Sequence, residues 1–287
     1  MSVLTTVFNC ERFVREAIES VRTQTSADWE HIVVDDASTD RTAAIVAETA
    51  QEDGRLRVSY LPQNLGPGGA MQAALGQARG EYVAVLDADD VCEPERLRRQ
   101  VEFCAANPRI AVLGTWVQTI DEHGAALAVK RYMENSDLLS WTTYHAMPLT
   151  HSSMMMRTEL LRRVGGYDRL MWTMCDYDVV VRMSEVGDIT CLPEVLVRYR
   201  KSPGQITQAH VPRQMNQMML RIHSLLCTRF GLHATLSDVH LRWRPMPEER
   251  ERLLRLDCAG ACRKLSERQS ADSVGSELLL RAAESHE

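Results

Sequence analysis

The sequence predicts an α/β fold built on a mixed, mostly parallel sheet flanked by helices. Strand-like and helix-like runs alternate four times between Ser2 and Cys104, a rhythm that calls for parallel strands joined by right-handed crossovers. An apolar run, Tyr82 to Leu86, stops on three carboxylates within four residues, Asp87, Asp89 and Asp90. Open α/β sheets bind their ligands just outside the carboxyl ends of strands, where these acids would lie. Beyond residue 108 the alternation ceases, so the rest of the domain follows a different plan.

The elements follow in order. Ser2 to Phe8 reads as a strand, and Asn9 as the cap of a helix with Val14, Ala17, Ile18 and Val21 on one face. Glu30 to Asp36 is a second strand ending on acids, and Asp40 caps a helix through Ala50. Leu56 to Leu61 is a third strand, Asn64 to Gly69 a tight loop, and Ala70 to Ala78 a helix leading into the strand Tyr82 to Leu86. Glu93-Pro94 opens a helix with Leu97, Val101 and Cys104 buried, since proline suits the first helical turn. Ile110 to Ile120 reads as a strand, with a turn at Asp121 to Gly124 into another. Ser152 to Arg157 is a short strand, Thr158 to Val164 a helix closed by Gly165-Gly166, Tyr177 to Val186 a helix and Ile189 to Tyr199 a strand. From Gln208 on the pattern is helical, with Met215, Met218, Met219, Ile222, Leu225 and Leu226 in one stripe that suits packing against the domain or a second copy.

With 287 residues the chain is long enough for one large domain and an appendage. A net charge of −6 and a pI near 5.9 argue against a partner as anionic as nucleic acid. No run approaches the ~18 apolar residues of a membrane span, and no signal-like segment opens the chain, so a cytoplasmic protein is expected. The eight cysteines fit reduced, mostly buried thiols; Cys258 and Cys262 would share a helix face but lack a second ligand pair for zinc.

Three carboxylates at one strand end cannot all ionise comfortably without a cation among them. Asp87-Ala-Asp89-Asp90 therefore reads as a divalent-metal site, with an acidic turn as the plainer alternative.

These residues resemble the inverting family-2 glycosyltransferases of the GT-A fold, over roughly residues 2 to 207. Ser2-Val-Leu-Thr-Thr-Val-Phe-Asn9 looks like that family's first strand, and Glu19 to Thr25 like the end of its first helix. Val34-Asp35-Asp36-Ala-Ser38-Thr39-Asp40 is similar to its Val-Asp-Asp-Gly-Ser-Thr-Asp signature. Asn64-Leu-Gly66, Ala78-Arg-Gly80-Glu-Tyr82 and Leu86-Asp87-Ala-Asp89-Asp90 follow in the family's order, with Gly165-Gly166-Tyr167-Asp168 and Asp176-Tyr-Asp178 downstream.

The resemblance implies a GT-A domain over 1–207, with a nucleotide-binding half (1–107) and an acceptor half (108–207); the helical pattern over 208–287 reads as an extension that could form a homodimer, cover the acceptor site or dock a partner. It implies transfer of a sugar from a nucleotide-sugar donor to a carbohydrate or other hydroxyl acceptor, with inversion. Asp87 would meet the ribose and metal region, and Asp87 and Asp89 would hold Mn²⁺ or Mg²⁺ on the diphosphate, the ion acting as a Lewis acid on the leaving group. Asp36 would contact the base, with Thr6 and Phe8 lining the same pocket. Asp176 would be the general base, near the positive end of a helix.

Several positions depart from the family pattern. Cys175 stands where Glu is usual, Thr6 where Pro is frequent, Met71 and Gln72 where Arg and Asn are frequent, and Ser202 where a metal- or diphosphate-side His is common. Arg200, Lys201 or His151 are the candidates to replace that His. Trp141, Tyr144 and Trp172 could stack on a sugar face.

Two other functions compete. A haloacid-dehalogenase-type phosphatase shares the Asp-x-Asp loop, but its loop follows the first strand of the core, whereas three strand and helix units precede Asp87 here. A glycosyltransferase-like subunit that binds without catalysis is suggested by Cys175 and Ser202, and opposed by Asp87, Asp89 and Asp176. A dinucleotide-binding dehydrogenase fails because Gly66-Pro-Gly68-Gly69-Ala-Met71 lacks the third glycine of Gly-x-Gly-x-x-Gly.

Overall fold

A computed structural model describes residues 1–143 and 147–202, except for the side chain of Trp141. The chain divides into units Met1–Gln214 and Met215–Glu287, and all described residues belong to the first. The expected helices over 208–287, the methionine stripe, Cys227, Cys258 and Cys262, residues 203–207 of the loop after Ser202, and Tyr144 lie outside the described residues.

The parallel half is built from β1 (Ser2–Val7), β2 (Glu30–Asp35), β3 (Leu56–Tyr60) and β4 (Tyr82–Val85), in the order β3-β2-β1-β4. β1 runs parallel to β2 and β4, and β2 parallel to β3, so their carboxyl ends share one edge. β2 and β4 are buried almost throughout, as strands covered on both faces must be. Alternate residues of β1 feed opposite layers: Leu4 packs with Ala70, Met71 and Ala74, and Val3 with Ala17, Val21 and Leu97.

The crossover helices are α1 (Val14–Arg22), α2 (Thr42–Ala50), α3 (Gly66–Gln77) and α4 (Arg96–Ala106). α1 buries the predicted Val14, Ala17, Ile18 and Val21. Asn9 does not cap it. With φ at 49°, its side chain instead accepts the Thr39 N–H at 2.8 Å and its own N–H reaches Ser38 Oγ at 3.1 Å, tying the end of β1 to the loop after β2. Arg41 rather than the expected Asp40 stands at the cap position of α2, and Asp40, one residue earlier, accepts the N–H of Thr42 at 2.9 Å. α3 begins at Gly66, four residues before the expected Ala70, because Pro67 suits a first turn and Asp36 receives the unsatisfied N–H groups there.

The second half inserts β8 (Met155–Arg157) antiparallel to both β4 and β6 (Ile110–Ile120), and β9 (Asp188–Arg200) runs parallel to β6. The short β5 (Val91–Cys92) pairs with β9, and β7 (Ala126–Lys130) with β6. α5 (Ser136–Thr142), α6 (Thr158–Arg163) and α7 (Cys175–Met183) complete the described elements, with one turn of 3-10 helix at His151–Ser153. β5, α5 and that turn carry no pattern long enough to register in the sequence. Ala84 pairs with Met155; carried on three residues, this register sets Ser152 opposite Asp87.

The five cysteines among the described residues are free, four of them buried. No helix among the described residues is long and apolar enough to cross a membrane.

Candidate functional site at the carboxyl edge of the sheet

The ends of β1, β2 and β4 converge here. Asp36 follows β2 and donates its N–H to Val7 O at 2.9 Å, while the Leu86 N–H reaches Leu4 O at 3.0 Å, so both acidic segments hang from β1. Thr6 is half-buried opposite Val34, and Phe8, two residues on, is 49% exposed. Phe8 lies just past the end of β1, where the chain bends toward the loop after β2.

Asp36 is 3% exposed, and its two oxygens accept the Leu65 N–H at 2.7 Å and the Gly66 N–H at 2.9 Å. Burial pushes its carboxyl above the ordinary value, and the two N–H groups offset only part of that. Each carboxylate oxygen accepts twice, so capping α3 leaves acceptor capacity on Asp36. The neighbouring Asp35 is spent on Ser38, whose N–H and hydroxyl both meet Oδ1.

Asp87 is held by the turn that precedes β8. Its N–H reaches Ser152 Oγ at 3.1 Å, and its Oδ1 lies 3.0 Å from His151 Nδ1. Burial would raise this carboxyl, but the charge and hydrogen bond of His151 outweigh it and leave Asp87 below its ordinary value. On His151 burial acts downward, while Asp87's charge and hydrogen bond, then the charge of Asp176, raise its pKa above the ordinary value. His151 Nε2 lies 3.1 Å from the Tyr167 hydroxyl, and Asp176 also bears on that hydroxyl, which burial first of all holds well above its usual range. Asp87, His151, Tyr167 and Asp176 thus form one electrostatic neighbourhood.

Asp89 is half-buried and Asp90 fully buried. Asp90 is tied to the last residue of β9. Its Oδ1 accepts the Arg200 N–H at 2.7 Å, Oδ2 has no hydrogen-bond partner, and burial, with Asp89 and Asp87 adding to it, drives the carboxyl well above its ordinary value. The carboxylates of Asp87 and Asp89 are hard oxygen donors that suit Mn²⁺ or Mg²⁺. Among the described residues no three His, Cys, Asp or Glu side chains form a ready-made cage. The fit is therefore to a cation shared with a ligand's own oxygens, and the buried, unpartnered Asp90 Oδ2 beside the pair agrees with a place for positive charge.

Asp176 lies in the first turn of α7, after Met174, which is left-handed at φ 60° and offers no side-chain cap. Asp178 is committed to an ion pair with Arg182 inside the same helix. Cys175 is 5% exposed; burial, then Asp176 and Asp87, raise its thiol well above the ordinary range, so it stands as a neutral neighbour of Asp176.

The departures from the family pattern also find places. Met71 is core, 2% exposed, and Gln72 accepts the Tyr167 N–H at 2.7 Å. Arg200, 2% exposed, binds Asp89 O at 2.8 Å and Glu16 Oε2 at 2.6 Å, so it braces the acidic loop rather than replacing the missing His. His151 meets Asp87 Oδ1 through its ring, and Arg200 meets Asp90 Oδ1 through its backbone N–H. Trp172 is 43% exposed, and its indole lies 2.9 Å from where a Cβ on Gly66 would stand. His151's contact partner was not legible in the sequence, and neither was the role of Tyr167, although it sits in the quoted Gly-Gly-Tyr-Asp motif.

Comparison with known proteins gives a consistent picture. The model for "Glycosyl transferase family 2" matches residues 2–165. An uncharacterized glycosyltransferase of Methanocaldococcus jannaschii is 31% identical over 211 residues, 69% of each chain. The amylovoran biosynthesis glycosyltransferase AmsE of Erwinia amylovora is 27% identical over 72% of this chain and 78% of its own. Among solved structures, S. aureus TarS in complex with UDP-GlcNAc superposes with a TM-score of 0.64 at 22% identity, over 99% of this chain and 87% of that one. The chain spans 53% of a longer TarS structure. The mannosyltransferase PcManGT of Pyrobaculum calidifontis, in complex with GDP-Man and Mn²⁺, has a TM-score of 0.60 at 17% identity, over 99% of this chain and 79% of that one. At these identities the two structures bear on the fold, which is GT-A.

Proposed function

The chain belongs to glycosyl transferase family 2 and is a nucleotide-sugar-dependent glycosyltransferase; from that premise we propose that it transfers the sugar to an acceptor hydroxyl with inversion, assisted by Mn²⁺ or Mg²⁺, with Asp176 as general base. The observation that carries this reading is His151, which is bound to Asp87 and also feels the charge of Asp176. Asp87 acts on this imidazole by contact and Asp176 through its charge, which supports reading the two carboxylates as parts of one site.

In this mechanism Asp36 accepts the imino hydrogen of the base, with Thr6 and Phe8 beside it. Asp87 and Asp89 hold the cation, which supplies Lewis-acid neutralisation of the diphosphate when bound. Asp176 takes the proton from the acceptor hydroxyl as its oxygen bonds to the anomeric carbon. The bond from that carbon to the diphosphate oxygen breaks on the opposite face, through an oxocarbenium-like state, and the nucleoside diphosphate departs. The neutral thiol of Cys175 adds no second negative charge beside Asp176.

The test is a thermal-shift panel of UDP-, dTDP- and GDP-sugars with and without Mn²⁺ on the full chain, followed by transfer assays. A donor at a hundred times its dissociation constant adds ~2.7 kcal/mol. Asp176→Asn is expected to abolish transfer and keep donor binding. Equal stabilisation by every nucleotide without metal counts against the site, and unchanged transfer by Asp176→Asn removes it as the base.

A further inference from the structure

Asp87 is gripped twice by one turn: Ser152 Oγ takes its N–H at 3.1 Å, and His151 Nδ1 meets its Oδ1 at 3.0 Å. That turn is itself fixed. Ser152 and Ser153 are fully buried, and Ser153 Oγ donates to Thr150 O at 2.7 Å. Behind the imidazole stands Tyr167, 1% exposed, with its hydroxyl 3.1 Å from Nε2 and its ring edge-on to the His151 ring. Tyr167 is fixed in turn by Gln72, which accepts its N–H at 2.7 Å across a tight turn in which Gly165 and Gly166 have φ of 93° and 69°.

Resting on the reading of Asp87 as the donor-side carboxylate, we propose that His151, backed by Tyr167, is a positioning residue: it locks Asp87 by Oδ1 and leaves Oδ2 to the cation and diphosphate. Oδ1 is engaged by the His151 ring at 3.0 Å, and the Ser152 hydroxyl, which also takes the Asp87 N–H, adds a weaker hold on the same carboxyl. Nδ1 carries a hydrogen toward Asp87 whether the ring is neutral or charged, so the lock does not depend on the ring's charge. In the neutral ring the Tyr167 hydroxyl donates to Nε2, which selects the tautomer with hydrogen on Nδ1. The arrangement is the outer-shell logic of metal sites with the roles exchanged, a histidine orienting a ligating carboxylate, where loss of a partner costs ~10–100-fold in metal affinity.

The experiment titrates Mn²⁺ into the full chain in the presence of UDP, dTDP or GDP, following the thermal midpoint, for the wild type, Asp87→Ala, His151→Asn, His151→Gln and Tyr167→Phe. The amide nitrogen of Asn falls where Nδ1 was and that of Gln nearer to Nε2. His151→Asn is therefore expected to keep the Mn²⁺ response within about threefold, and His151→Gln to weaken it by ~10-fold or more. Tyr167→Phe should fall between them. His151→Gln and His151→Asn responding alike, or both like the wild type, overturns the positioning role while an abolished response in Asp87→Ala still upholds Asp87. A full response in Asp87→Ala, or no response to Mn²⁺ in the wild type with any of the three nucleotides, sinks the reading of Asp87 and this proposal with it.

Discussion

The Gly66 N–H donates to Asp36 Oδ2 at 2.9 Å, joining the acid at the end of β2 to the first residue of α3. Leu65 completes the cap at 2.7 Å on Oδ1. One buried carboxylate therefore starts the helix and is our proposed base contact. Asp36→Ala is expected to lower the unfolding free energy by ~1–2 kcal/mol through the lost cap, measured in urea. The same variant should weaken nucleotide binding, and Asp36→Asn, which keeps one accepting oxygen, should lose less stability than Asp36→Ala.

Gly68 sits where the loop before α7 crosses α3. A Cβ there would stand 2.2 Å from Asp168 O and 2.6 Å from Met171 O, both backbone atoms with little room to retreat. Gly68→Ala should cost ~1–3 kcal/mol by overpacking. Gly76→Ala, with nothing within 4 Å, should be neutral or stabilising by up to ~1 kcal/mol in the same helix. Equal midpoints for the two variants would show that the crossing is looser than described.

Arg200 bridges the acidic loop and α1. It is 2% exposed and bonds Asp89 O at 2.8 Å, Asp121 O at 3.3 Å and Glu16 Oε2 at 2.6 Å, with its guanidinium 4.6 Å from the centre of the Phe13 ring. Removing the buried guanidinium leaves its acceptors Asp89 O, Asp121 O and Glu16 Oε2 without their donor, so Arg200→Met should destabilise the fold by ~3 kcal/mol or more. Arg200→Lys should recover little, because an ammonium cannot reproduce the planar fork. Chemical denaturation of the two variants measures both.

His31 gives a pH signature. It is 1% exposed and bonded to Thr5 Oγ1 at 2.9 Å, and burial lowers its pKa from 6.5 to about 3. The folded value lies below the unfolded one, so the unfolded chain binds the extra proton between them. The contribution is complete above pH 6.5 and is lost as pH falls toward 3, at a slope of ~1.4 kcal/mol per pH unit. Urea midpoints from pH 7 to 5 should fall more steeply for the wild type than for His31→Gln. Parallel curves would mean that His31 is charged in the folded protein.

Much of this molecule was legible in sequence because the signals are local. The buried faces of α1 and β2 follow from periodicity and apolar runs, and the acids that end β2 and β4 are contiguous in the chain. The start of α3 was misplaced because its cap, Asp36, is 30 residues from Gly66. Asn9 was misassigned for the same reason: a cap motif was present, but its partner Thr39 lies across the β1–β2 edge. Asp90 looked like a turn residue until β9 delivered Arg200 from 110 residues away.

The sequence by itself determined the parallel half of the sheet, the acidic edge and the family, since apolar runs, glycine turns and carboxylate spacing act over a few residues. Only the tertiary structure decided what holds Asp87. A strand of three residues, β8, carries no pattern of its own that could say where it inserts; its place between β4 and β6 depends on pairings far along the chain. That insertion brings His151 across 64 residues to Asp87, and α3 with the Gly165–Gly166 turn sets Tyr167 behind it. The charge of an aspartate is written in the sequence, whereas the direction in which its oxygens are held is a property of the neighbours that folding supplies.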